Sequence, residues 1–84
     1  MTADRLDVRL TVLTADGMEN LGRVVAVLAL LDLAPSRLEA RRTAEGLRVS
    51  AALQAGSRDL ALCLARIRAL VAVRAADLEP ASGG

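Results

Sequence analysis

Leu6-Asp7-Val8-Arg9-Leu10-Thr11-Val12-Leu13 decides how this chain is read. Apolar Leu6, Val8, Leu10 and Val12 alternate with Asp7, Arg9 and Thr11, which predicts a strand with one buried face. Working outward, Leu21, Val24, Val25, Leu28 and Leu31 recur at helical spacing. Leu38 and Ala40 alternate with Arg37, Glu39 and Arg41, and Leu47, Val49, Ala51 and Leu53 alternate with Arg48 and Ser50. A second helical run carries Leu60, Leu64, Ile67 and Val71, and a last strand covers about Val71 to Leu78. The order β-α-β-β-α-β predicts an α+β, ferredoxin-like sandwich: an antiparallel four-stranded sheet with two helices on one face. Right-handed crossovers then give the spatial strand order 4-1-3-2, with the second strand on an edge.

Local signals set the boundaries. Residues 1–5 read as a flexible lead-in, 6–78 as one domain, and 79–84 as a disordered tail of small and polar residues. Asp16 and Glu19 stand three apart before the first helical run, the spacing of a capping box. That helix should run from about Met18 to Leu31, and Pro35 forbids its continuation. Strand 2 is expected over Pro35 to Arg42 and strand 3 over Leu47 to Gln54, joined by a turn in which Gly46 takes a positive φ. Ser57 is the expected N-cap of the second helix, which should run to about Leu70, with Asp59 opposing its dipole.

Composition narrows the function. The 84 residues hold no Phe, Tyr or Trp, so the core must be Leu, Val and Ala. Such a core lacks the side chains that fill space most efficiently, which favours stabilisation by a partner. A net charge of +1 exerts no pull toward nucleic acid or an anionic membrane. The N-terminus has no apolar signal region and the longest apolar run is too short to span a bilayer, which points to a cytoplasmic protein. The chain has no His, and a single Cys63 rules out an internal disulfide. A His-dependent triad and the commonest metal ligand are therefore both missing. Cys63 reads as a small helix residue, not a reactive thiol. RNA-binding domains of this topology stack bases on sheet aromatics, and this sheet has none.

Two regions remain as candidate surfaces. The loop Asp16, Gly17, Met18, Glu19 and Asn20 precedes a helix N-terminus, which could receive an effector carboxylate. Asp16 and Glu19 place negative charge in that position, and capping competes with ligand binding there. The first helix reads Val24-Val25-Ala26-Val27-Leu28-Ala29-Leu30-Leu31 and is richer in apolar residues than one stripe requires. Val27 and Leu30, beside Leu21 and Arg23, form a flank suited to assembly. Arg37, Glu39 and Arg41 on the edge strand either block uncontrolled pairing or pair with a symmetry mate.

The segment Met18-Glu19-Asn20-Leu21-Gly22-Arg23-Val24-Val25-Ala26-Val27-Leu28 after strand 1 resembles an ACT domain. Asp16, Leu21, Arg23 and Val24 match the family's Asn/Asp-Arg-Pro-Gly-x-Leu…Arg-Val pattern, whereas Gly17, Met18 and Glu19 replace its Arg, Pro and Gly. Ser57-Arg58-Asp59-Leu60-Ala61-Leu62 and Leu70-Val71-Ala72-Val73 are similar to the second half of the small regulatory subunit of acetolactate synthase, isozyme II type. The resemblance implies a non-catalytic, allosteric subunit of branched-chain amino acid biosynthesis. It would bind and activate a large catalytic subunit carrying thiamine diphosphate, Mg and FAD, with no cofactor of its own and as a homodimer. Glu19 in the glycine's place implies weak or absent valine feedback. A stand-alone homodimer sensing an amino acid or other small effector is the alternative.

Overall fold

The computed structural model describes residues 5–81. Its elements are β1 (Arg5–Thr14), α1 (Met18–Leu30), β2 (Arg37–Thr43), β3 (Gly46–Gly56), α2 (Ser57–Arg68) and β4 (Val73–Pro80). The fully antiparallel sheet runs β2-β3-β1-β4, the ferredoxin-like order expected from the alternating patterns. β1 begins one residue earlier than expected, and β4 runs two further, so Arg5, Glu79 and Pro80 belong to the sheet. Ala81, also in the expected tail, donates its N–H to the Asp7 carbonyl at 2.9 Å, and residues 1–4 and 82–84 lie outside the described residues.

Period-two burial is what assembles the sheet. Val8, Leu10, Val12 and Thr14 of β1, and Leu47, Val49, Ala51, Leu53 and Ala55 of β3, point to one face and are buried. The helices contribute Val24, Val27, Leu28, Leu60, Cys63 and Ile67 to the same core. The opposite sheet face carries Arg9, Thr11, Arg37, Glu39, Arg48, Ser50, Ala52 and Asp77, with no helix of the described residues over it. β2, at one edge, is exposed along its length except at Thr43, which is half-buried.

The turn after β2 follows its glycine. Gly46 sits at φ 136°, and a Cβ there would lie 2.3 Å from the Thr14 carbonyl oxygen. Only glycine combines that backbone conformation with so close an approach to β1.

Several boundaries depart from the sequence reading: β2 starts at Arg37, two residues after Pro35, and β3 runs two residues past Gln54 to Gly56. α1 stops at Leu30, several residues before Pro35. Asp32 takes the left-handed conformation at φ 57°, the Leu33 N–H donates to the Leu28 carbonyl at 2.8 Å, and the Asp32 N–H donates to Ala29 at 3.1 Å. These are the two bonds of a Schellman motif, closed by buried Leu33 packing back onto the core. α2 is helical from Ser57 itself, with Gly56 at the N-cap, so Ser57 stands one place inside its expected position. It ends at Arg68, and β4 starts two residues later than expected, at Val73.

Val27 is the main correction to the core. It is only 9% exposed and belongs to the interior, not to a free flank. The buried face of α1 is Asn20, Val24, Val27 and Leu28, while Val25 is turned outward. At about 100° per residue, this face is rotated by roughly 50° from the stripe of Leu21, Val24, Val25, Leu28 and Leu31. The cause is Asn20, a polar residue that apolar counting passes over and that the fold buries.

Candidate functional site

The β1–α1 loop is held at its base by backbone and side-chain bonds from three directions. Buried Thr14 donates its hydroxyl to the Ala72 carbonyl at 3.1 Å, and the Ala15 N–H donates to the same oxygen at 2.9 Å. The Arg74 guanidinium donates to the Glu45 carbonyl, fastening β4 to the β2–β3 turn. That turn rests on Thr14 through Gly46. The loop thus stands on a joint formed by all the chain's connections at this end of the sheet.

Within the loop, Asn20 is the organising side chain. It is 7% exposed, and its amide donates to the carbonyls of Ala15 at 2.8 Å and Asp16 at 3.3 Å. A buried amide with two acceptors satisfies the rule that interior polar groups find partners. Its own backbone N–H bonds Gly17 at 3.1 Å. Gly17 occupies the N-cap of α1 at φ 135°, ψ 139°, with no side-chain cap bond.

The expected capping box is therefore not formed. With Gly17 as N-cap, Glu19 is the second helical residue instead of the third, out of register for the reciprocal bond. Asp16 turns away to Arg42 of β2, with a closest N···O distance of 3.2 Å. Both side chains of that pair are more than half exposed, so it contributes at most about 1 kcal/mol. Glu19 folds back over the loop: a Cβ on Gly17 would lie 2.9 Å from its Oε1. An incoming carboxylate would meet this charge at the helix N-terminus, where the free N–H groups would otherwise attract it. Met18 extends into solvent at 74% exposure.

Of the proposed effector loop, the fold brings Asp16, Gly17, Glu19 and Asn20 together and leaves Met18 outside. The assembly set divides in a similar way. Val27 is interior, Leu21 is half-buried against the core, and Arg23 and Leu30 are exposed. Arg37, Glu39 and Arg41 lie on the uncovered face of edge strand β2. Apolar counting missed a groove of about 230 Å³ between α1 and β2, lined by Val25, Ala29, Leu33, Pro35 and Leu38. Its signal was Leu38, an apolar residue on the core side of a strand too far out to be covered.

Reactive chemistry is sparse among the described residues. No group of three or more His, Cys, Asp or Glu is placed to hold a metal ion. Cys63 is fully buried, and burial pushes its thiol pKa up, away from the nucleophilic thiolate. No helix of the described residues is long and apolar enough to cross a membrane.

Comparison with known proteins places the fold. No protein-family model matches the chain, and no curated protein matches it by sequence. Among solved structures, it is similar to the ACT domain from GTP pyrophosphokinase of Chlorobium tepidum. The TM-score is 0.74 at 9% identity, covering 90% of this chain and 88% of that one. It is also similar to an uncharacterized protein from Thermotoga maritima, with TM-score 0.73 and 12% identity, covering 90% of this chain and 96% of that one. At such identities the likeness is one of fold.

Proposed function

We propose that this chain is a non-catalytic regulatory domain of the ACT type that acts by docking onto a larger enzyme. The partner indicated by the sequence resemblance is the large catalytic subunit of acetolactate synthase, which would bring its own thiamine diphosphate, Mg and FAD. The observation that carries this reading is the contrast between the loop and the edge. The loop's anion-attracting end carries its own Glu19 carboxylate close beside Gly17, which disfavours tight amino acid binding there and fits weak or absent valine feedback. Edge strand β2, the groove beside it and one whole sheet face are left uncovered by the described residues. Docking would act by shifting the catalytic subunit's conformational equilibrium toward an active state.

A homodimer belongs to the same reading, and the charge order of β2 supports it. Antiparallel pairing of two copies about Ala40 sets Glu39 of one copy against Arg41 of the other, twice across the axis. Registers centred on Glu39 or Arg41 place like charges together instead. Leu38, Val25 and Ala29 lie beside that edge and extend the contact with apolar area. The stand-alone sensor is the second reading, and the same dimer would serve it.

Affinity capture with the acetolactate synthase large subunit, paired with calorimetric titration of valine, leucine and isoleucine, separates the two. Capture of the large subunit with little heat from the amino acids supports the docking role. Tight binding of one amino acid without capture overturns it in favour of the sensor.

A further inference from the structure

The strand register brings two arginines to either side of a small residue on the uncovered sheet face. Arg9 of β1 and Arg37 of β2 are both paired with Ala52 of β3, so the three stand in one row. Neighbouring strands lie about 4.8 Å apart, which puts the two arginine α-carbons roughly 10 Å apart across a methyl group. Cross-strand partners point to the same face, so both guanidinium groups can converge over Ala52. Ser50, next on that face of β3, is half-buried. Arg9, Arg37, Glu39, Ser50 and Ala52 line a cleft of about 240 Å³.

The charges of this row are unspent. Arg42 and Arg68 have carboxylate partners, and Arg5 and Arg74 donate to the Gln54 and Glu45 carbonyls. Arg23, Arg41, Arg48, Arg58 and Arg66 have no carboxylate partner among the described residues either, so what sets the row apart is the cleft that Arg9 and Arg37 share. Among the described residues, Arg9 and Arg37 have no carboxylate within 4 Å, although Glu79 is the cross-strand neighbour of Arg9. Farther along the same face, Arg41 and Arg48 stand directly opposite one another, an arrangement that costs stability. A fold alone gives no reason to gather unpaired and opposed arginines around one trough. The chain has no aromatic residue on which a base could stack.

We propose that the row Arg9–Ala52–Arg37 binds a small oxyanion, a phosphate or carboxylate group, between its two guanidinium forks, with the Ser50 hydroxyl as a further donor. Guanidinium groups match such oxygens in pairs, and charge-assisted bonds are the strong ones. Glu39 stands on the cleft's rim, on the same strand face as Arg37, and competes with the ligand for it. The site is separate from the β1–α1 loop; it shares Arg37 and Glu39 with the edge strand offered for docking, but its ligand is a small anion and its test needs no partner.

The test is nuclear magnetic resonance titration of the full chain at constant ionic strength with inorganic phosphate, acetate, or chloride as the reference. Phosphate or acetate should give saturable shifts at the Ser50 and Ala52 amides and at the Arg9 and Arg37 Nε–H groups, with chloride giving none. Saturation by phosphate alone identifies a phosphate site, and saturation by acetate alone a carboxylate site. Arg9→Gln and Arg37→Gln should each weaken binding tenfold or more, Glu39→Gln should tighten it several-fold, and Arg58→Gln on α2 should leave it unchanged. These are substitutions of exposed residues, and matching melting temperatures confirm intact folds. Linear shifts spread over all the arginines, or unchanged affinity in both row variants, would overturn the proposal.

Discussion

Asn20 is the residue on which the loop's architecture turns, and replacing it measures how much. Its amide holds the carbonyls of Ala15 and Asp16 at 2.8 and 3.3 Å from a position only 7% exposed. Asn20→Ala removes both donors, and leaving buried acceptors unpaired costs about 1–3 kcal/mol. For a domain of this size that is a fall in Tm of roughly 5–20 °C. Asn20→Asp is nearly isosteric but faces the same two carbonyl oxygens with a carboxylate. Its neutral form can donate one bond and its charged form none, so burial and the carbonyls both push the carboxyl pKa up in the folded state. The sign follows: stability is fully present below the unfolded pKa of about 3.9 and is lost as pH rises through the higher folded value. Circular dichroism melts at pH 4 and pH 7, referenced to wild type at each pH, should show Asn20→Asp falling below Asn20→Ala only at the higher pH. Each unit by which the folded pKa is raised adds about 1.4 kcal/mol to that loss. An Asn20→Ala penalty under about 0.5 kcal/mol, or a pH-independent gap between the variants, would refute the assignment.

Other substitutions address the remaining joints. Gly46→Ala places a methyl against the Thr14 carbonyl in a conformation reserved for glycine, and should cost about 2–4 kcal/mol in chemical denaturation. Val27→Glu should abolish cooperative unfolding, because it buries a charge in the core, whereas Leu38→Glu, on an edge-strand residue 40% exposed beside the proposed dimer contact, should leave the melt largely intact and weaken association measured by sedimentation. Cys63 should resist a thiol reagent in the native protein and react in denaturant, because its thiol is buried and its pKa raised; fast native labelling would contradict that placement.

The fold was legible because strands and helices impose different periods on the same apolar alphabet. Leu6 to Val12 and Leu47 to Leu53 alternate cleanly, and a one-residue error would have sent every side chain to the wrong face. Gly46 was legible for the same local reason, since the tight turn after Thr43 enters β3 through a residue with positive φ. Val27 was not. Its fate depends on the rotation of α1 about its axis, which is fixed by Asn20 reaching carbonyls four and five residues back. Hydropathy assigns Asn20 to the surface, so the stripe came out rotated and Val27 looked spare. The capping box failed by one residue, because Asp16 found Arg42, 26 positions along the chain. The Schellman end of α1 was hidden because Asp32 takes a conformation that glycine usually signals. The groove beside Leu38 and the arginine row over Ala52 were invisible for a different reason: both are juxtapositions across strands, and they exist only once the register is known.

Titrating this chain into purified acetolactate synthase large subunit, while following acetolactate formation, addresses regulation itself. Turnover should climb to a plateau at a fixed stoichiometry, with added valine leaving the plateau nearly unchanged. A flat trace across the whole titration would contradict the regulatory role.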